Sequence, residues 1–238
     1  MREFLKVFTD ALDEFGIQLD DTAVDRFCKY NDLLLEWNEK MNLTALTEAR
    51  DVAVKHFVDS LMLLQYTEIP QEASVIDVGT GAGFPGLALK IARPDIRLTL
   101  LDSLQKRLGF LDTVCGEMAL DNVVTVHSRA EDGSRTMLFR ENFEIAVARA
   151  VAPLNVLCEY CLPYVAVGGR FLAMKGKTAV EELQDAENAV KTLGGRVGEK
   201  YLFTLGDAGE RGIIVIDKIA ATPEMYPRKS KQIKKKPL

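Results

Sequence analysis

Two histidines and four cysteines are all that this chain offers to a soft metal or a disulfide framework. Cys28, Cys115, Cys158 and Cys161 lack the spacing of a small secreted domain, so a reducing compartment is expected. Cys158-Glu-Tyr-Cys161 has the form CxxC, but no second pair accompanies it and both cysteines fall in an apolar helical pattern. They read as core residues, not as metal ligands or a redox pair. An apolar run of the ~18 residues needed to span a bilayer is also missing. The opening stretch, MREFLKVFTDALDEFG, mixes charges into an amphipathic pattern and lacks the uninterrupted apolar core of a signal peptide. The expectation is a cytoplasmic, monomeric protein with no metal and no membrane partner.

What is present is an ordinary globular composition, 47% hydrophobic and 27% charged over 238 residues. That length suffices for one large α/β domain or a core with a small addition. The net charge of −5 conceals an asymmetry. Residues 228–238 read RKSKQIKKKPL, with six basic residues and no acid; without those six charges residues 1–227 stand at −11. An acidic body with a basic tail is suited to touching a polyanion at one place. The candidates for that contact are Arg228, Lys229, Lys231, Lys234, Lys235 and Lys236. The plain alternative is a solvated, disordered terminus.

Residues 1–70 read as helices. Phe4, Phe8, Leu12 and Phe15 recur at helical spacing before Gly16 supplies a stop. Asp21 or Thr22 is placed to cap a second helix, and Thr47 to start a third carrying Phe57, Leu61 and Leu64. From Ser74 the pattern changes to short apolar strands, SVIDV (74–78), RLTLLD (97–102), VVTVH (123–127), FEIAVA (143–148) and RFLAMK (170–175). Helical stretches separate them near 86–93, 104–119, 133–141, 153–166 and 178–193, which predicts right-handed crossovers and a parallel sheet covered on both faces. Two strands with no helix between them, about 197–205 and 212–219, must run antiparallel. The fold class expected is therefore α/β, a doubly wound, Rossmann-like seven-stranded sheet with an N-terminal helical extension. Its divisions are a helical segment 1–70, a sheet domain 71–222 and a basic tail 223–238.

The segment Val75-Ile-Asp77-Val-Gly79-Thr-Gly81-Ala-Gly83-Phe-Pro-Gly86 leaves a buried strand, turns through glycines and enters a helix. Ligands of such folds sit at the carboxyl ends of the strands. Gly81-Ala-Gly83-Phe-Pro-Gly86 matches GxGxxG, so a dinucleotide must be considered. Against it stands Asp77, whose carboxylate would repel a pyrophosphate but attract the cationic methionine end of S-adenosylmethionine. Asp102 ends the next strand, placed to accept hydrogen bonds from both ribose hydroxyls, as an acid there does in dinucleotide folds too.

These marks accompany others: Asn42-Leu-Thr44, His56-Phe-Val-Asp59-Ser60-Leu61, DVGTGAGFPGLALKI (77–91), TLLDS (99–103) with Lys106-Arg107, Arg129-Ala130-Glu131-Asp132, Ala148-Arg149-Ala150-Val151-Ala152, Lys175-Gly176 and Thr222-Pro-x-x-Tyr226-Pro-Arg228-Lys229. In that order, nearly end to end, they resemble the glucose-inhibited division protein B family of small-subunit ribosomal RNA methyltransferases. The resemblance implies a class I methyltransferase that uses S-adenosyl-L-methionine to methylate N7 of one guanine in the 530 loop of 16S ribosomal RNA, free or in a small-subunit precursor. By position it implies that Gly79, Gly81 and Phe84 line the cofactor. Asp102, Ser103 and Leu104 would hold its ribose and adenine, Ala130 and Glu131 would touch the adenine, and Arg149 would stand at the methyl-transfer site. The tail departs from the family pattern, because a Gly-x-Pro turn after Tyr-Pro-Arg-Lys is missing. That departure predicts a flexible, charge-driven RNA contact.

Guanine N7 carries an in-plane lone pair, so its methylation calls for positioning and charge management more than for a general base. Ala148-Arg149-Ala150-Val151-Ala152-Pro153 has neither the Asn/Asp-Pro-Pro-aromatic motif that holds an exocyclic amine nor the Pro-Cys nucleophile needed at a pyrimidine carbon. Arg149 and Lys175 both follow strands at the cofactor face and are the candidate catalytic, substrate-positioning residues, for a phosphate or a guanine edge. His56 and Asp59, one helical turn apart, read as structural, paired with each other or with a neighbouring loop, and His127 as packing. The rival readings are a methyltransferase for another RNA or a small molecule, a dinucleotide-dependent oxidoreductase, and a non-enzymatic RNA-binding assembly factor.

Overall fold

The computed structural model describes residues 2–238, without the side chain of Arg2. Its strands are β1 (Ser74–Val78), β2 (Arg97–Asp102), β3 (Val123–His127), β4 (Phe143–Arg149), β5 (Val165–Lys175), β6 (Gly195–Thr204) and β7 (Glu210–Lys218). They form one sheet in the order β3-β2-β1-β4-β5-β7-β6, parallel from β3 to β5, with β7 antiparallel to both its neighbours. The last strand, β7, thus slots inside the sheet between β5 and β6 and leaves β6, the strand after the last crossover, at the edge.

The inward faces of the strands alternate as a pleated sheet requires. Leu98, Leu100, Ile145, Val147, Leu172, Ile213 and Val215 point into one core; Ile76, Leu101, Ala146, Phe171, Ala173, Ile214 and Ile216 point into the other. The first core is closed by α1 (Arg2–Glu14), α2 (Asp21–Met41), α3 (Ala49–Asp51), a π-helical stretch Val52–Val58, α4 (Asp59–Tyr66), α5 (Gly86–Ala92) and α6 (Gln105–Glu117). Phe8, Phe27 and Phe57 meet there with centroids 4.9–5.7 Å apart, each fully buried. Burial of such a side chain stabilises by roughly 1.5–3 kcal/mol. The helical N-terminal segment is accordingly packed into the sheet's own core. The second core is closed by α8 (Leu154–Cys161), α9 (Ala179–Thr192) and the C-terminal α10 (Ser230–Lys235), with short α7 (Ala130–Gly133) at its edge. Cys158 and Cys161 lie fully buried in it, and burial pushes the Cys158 thiol up to about 12.

Several local expectations are corrected. The cap of α2 is Asp20, whose carboxylate accepts the Ala23 N–H at 2.7 Å, one residue before the expected cap. Residues 134–141 are turns, not a helix. Their apolar residues Met137 and Leu138 are 96% and 69% exposed, so no core face holds a helix there. The strand β5 starts at Val165, five residues early, because Gly168 and Gly169 interrupt the apolar signal at an irregularity in its pairing with β4. The helix before it is correspondingly short, ending at Cys161 with a 3-10 turn, Leu162–Tyr164.

Candidate active site

At the end of β1 the backbone N–H groups of Gly79 and Thr80 both donate to the Leu101 carbonyl, at 2.8 and 3.0 Å, so the loop is tied to the end of β2. Gly81 has φ +61, and a Cβ built there would meet nothing within 4 Å. It borders an open cavity of about 560 Å³. A side chain at Gly81 would project into free space that a ligand backed by the loop would take.

Asp102 closes that cavity at the end of β2. Its Oδ2 accepts the Gly81 N–H at 3.0 Å, its Oδ1 accepts the Leu104 N–H at 2.9 Å, and Arg107 stands 3.5 Å away. An ionised carboxylate has about four acceptor sites; two are taken by these backbone N–H groups and a third by the longer Arg107 contact, so one remains for a ribose hydroxyl, and a second if Arg107 moves aside. Gly79, Gly81, Phe84, Asp102, Ser103, Ala130, Glu131 and Arg149, all singled out in the sequence, line the cavity together. Two others do not. Leu104 is 51% exposed beside it and contributes its N–H to Asp102 instead. Asp77 lies behind the loop, fully buried, its Oδ2 accepting from the Thr80 hydroxyl and the Gly86 N–H, both at 2.8 Å. Burial pushes Asp77 up to about 6 although both hydrogen bonds hold it down. Its carboxylate fastens the two ends of the glycine loop and does not face the cavity, which corrects its assignment as a direct cofactor contact.

A second cavity, about 550 Å³, adjoins the first and shares His56, Arg149, Ala150, Val151 and Ala152 with it. Arg149 sits on the shared wall. Its Nη1 donates to Asp59 Oδ2 at 2.8 Å, and its guanidinium carbon lies 5.1 Å from the centroid of the Phe84 ring. The other oxygen of Asp59 accepts from Arg211 Nε at 3.2 Å, so one buried carboxylate holds two guanidinium groups. The His56 ring is stacked on Phe84, 4.5 Å and 9° apart, with Nε2 2.8 Å from the Thr44 hydroxyl and Nδ1 3.4 Å from Arg149 Nη2. Burial, with Arg149 adding to it, drives His56 down to about 3, so it is neutral. His56 and Asp59 thus pair with the neighbouring loop and with Arg149, not with each other, and both line the second cavity. No spacing rule announces this; it follows from the π-helical turn Val52–Val58, a form that often marks functional sites. Ala150, a non-glycine at φ +55, lies just beyond Arg149 on the same wall.

Lys175 also lines the second cavity, but two of its three ammonium donors are taken and its charge is neutralised by Glu182. It donates to the Ala152 carbonyl at 2.6 Å and pairs with Glu182 at 2.7 Å, with its side chain 5% exposed. It props the loop after β4, which corrects its assignment to substrate positioning. His127 is exposed on the edge strand, its ring nitrogen 3.1 Å from the Ser103 carbonyl, so it is not a packing residue either.

The tail is docked, contrary to the flexible contact expected. Arg140 donates to the carbonyls of Thr222, Pro223 and Tyr226, and Arg135 to those of Met225 and Pro227. Arg228 binds fully buried Glu159 through its backbone N–H at 2.7 Å, its Nε at 2.9 Å and its Nη2 at 2.6 Å. That guanidinium is committed to the fold and is removed from the polyanion contacts. Lys229, Lys231, Lys234, Lys235 and Lys236 remain exposed, and Lys234 with Ser230 also borders the first cavity.

A parallel sheet ended by an inserted antiparallel strand, a glycine loop open to a cavity and a ribose-type acid after β2 define an S-adenosylmethionine-dependent methyltransferase. M. jannaschii TYW2 in complex with AdoMet shares the fold: TM-score 0.55, 9% identity, 69% of this chain and 76% of that one covered. Residues 23–206 match the family described as GidB, rRNA small subunit methyltransferase G, and the chain belongs to that family. The ribosomal RNA small subunit methyltransferase G of Alkaliphilus oremlandii is 50% identical over 99% of both chains. That of Clostridium perfringens strain SM101 is 47% identical over the same share. The chain is thus an enzyme with S-adenosyl-L-methionine as its cofactor, and the loop's open cradle at Gly81 and the Asp102 carboxylate at the cavity edge suit that ligand. Among the described residues no helix is long and apolar enough to cross a membrane, and no cluster of metal-ligating side chains occurs.

Proposed function

We propose that this enzyme methylates N7 of a guanine in the 530 loop of 16S ribosomal RNA, acting in the cytoplasm as a monomer on the RNA or a small-subunit precursor. The observation that carries the reading is the state of the acids and bases lining the second cavity. Asp59 is paired with Arg149 and Arg211, Glu182 with Lys175, and His56 is held near 3. Among the described lining residues none is a free general base, so an amine or a hydroxyl would keep its proton there. A ring nitrogen with its own lone pair needs no base, and guanine N7 is such an atom. When bound, S-adenosylmethionine supplies an electrophilic methyl group. Arg149, on the wall common to both cavities, holds a positive charge where the O6 edge of the guanine would lie. The exposed tail lysines supply phosphate contacts to an otherwise acidic body. In this reading residues 71–222 are the catalytic domain, 1–70 its helical cover and 223–238 its RNA-facing strap.

Borohydride–aniline cleavage of 16S RNA tests the assignment. RNA from wild-type cells should break at one guanine in the 530 loop, and RNA from deletion cells should not. Identical patterns from the two would remove it.

A further inference from the structure

We propose that the C-terminal helix α10 is a wall of the cofactor cavity and that, through it, RNA on the tail and cofactor in the cavity hold each other in place. Two edges of one short helix carry the inference. The inner edge places Ser230 Oγ 3.3 Å from the Tyr160 hydroxyl, and Ser230, Lys234 and Tyr160 line the same cavity as Asp102, Ala130 and Glu131. The outer edge exposes Lys231 and Lys235, flanked by Lys229 and Lys236. Between them Ile233 is fully buried in the second core.

A helix of six residues does not hold together alone in water; its order comes from docking. The docked and released states of α10 are therefore close in free energy compared with the rest of the fold. A ligand touching the inner edge favours the docked state. Phosphates favour it as well, because docking presents the lysines as a fixed array and less side-chain freedom is lost on contact. Two ligands that favour one state raise each other's affinity by the same factor. The RNA half of this inference rests on the function proposed above; the cofactor half does not.

The test uses calorimetry with S-adenosylhomocysteine on the full chain, on a chain truncated after Lys229, and on Ile233→Asp. The truncation keeps the Arg228–Glu159 anchor, and Ile233→Asp undocks the helix while retaining every lysine. Both variants should bind S-adenosylhomocysteine at least fivefold more weakly, with far-ultraviolet dichroism showing that the sheet is intact. Unchanged affinity in both intact variants would overturn the wall. A synthetic RNA spanning the 530 loop is then titrated with and without saturating S-adenosylhomocysteine. RNA affinity of the full chain should rise several-fold with the cofactor product, and that of Ile233→Asp should not. Equal ratios in the two proteins would overturn the coupling. No RNA binding by any protein would count against the proposed function and leave the cofactor result standing.

Discussion

Two buried carboxylates each hold an arginine in this molecule, and they do so to different ends. Glu159 is saturated by one residue: the backbone N–H, Nε and Nη2 of Arg228 all point at it, and it is fully buried. Asp59 divides its oxygens between Arg149 and Arg211, and both guanidinium groups border open space. A carboxylate saturated by one partner fastens chain to chain. A carboxylate shared between two positions charge at the edge of a cavity and still has a partner if one is lost.

The sharpest separation of the two should appear in stability. Arg228→Ala leaves Glu159 buried without a counter-charge and should cost about 3–5 kcal/mol in urea unfolding. Arg149→Ala leaves Asp59 still paired with Arg211 and should cost about 1–2 kcal/mol. Equal losses would break the comparison. The order should invert for chemistry. Arg149→Lys keeps the charge but loses the fork and the face-on contact with Phe84. It should lower methyl transfer about tenfold, or ~1.4 kcal/mol of barrier, with stability changed by less than ~1 kcal/mol.

The Asp59 region should also show a pH signature. His56 has a folded value near 3, below its ordinary 6.5, so its contribution to stability is complete above 6.5 and is lost as pH falls toward 3. Between pH 6.5 and 5 that loss should be about 2 kcal/mol. Asp77 acts in the opposite sense: raised to about 6 from 3.8, its contribution is complete below 3.8 and is lost as pH rises through 6. In His56→Asn the acid-side loss should vanish and only the Asp77 slope remain; an unchanged profile would place the titration elsewhere. The smallest effect belongs to the tail. Lys235→Ala should flatten the log–log salt dependence of RNA binding by ~0.7–0.9 per lost phosphate contact. Arg228→Lys, whose charge is already neutralised, should not alter that slope through a phosphate contact of its own.

The parts legible in the sequence were those that obey a short-range rule. The short apolar runs SVIDV and RLTLLD located β1 and β2 to the residue, and the glycine spacing with Asp102 located the cofactor side of the cavity. Side-chain direction was not legible. Asp77 stands in the right place for a ligand contact, but its carboxylate turns back to Gly86, nine residues on. Lys175 likewise meets Glu182 from α9, a partner that spacing does not reveal. The tail's charge was plain, but its docking depends on Arg135 and Arg140 in a segment that read as a helix. The place of His56 on the wall of both cavities was hidden because a π-helical turn leaves no mark in residue spacing.

The grip of Arg135 and Arg140 has one more consequence. Both arginines take hold of main-chain oxygens, on Thr222, Pro223, Met225, Tyr226 and Pro227, and every residue type has that oxygen. The route of this stretch is therefore written largely in the body of the protein, with the buried Thr222 hydroxyl as its own side-chain anchor. Changes of side chain at Met225 or Pro223 leave those grips in place, and the lysines that follow are delivered to the same doorstep.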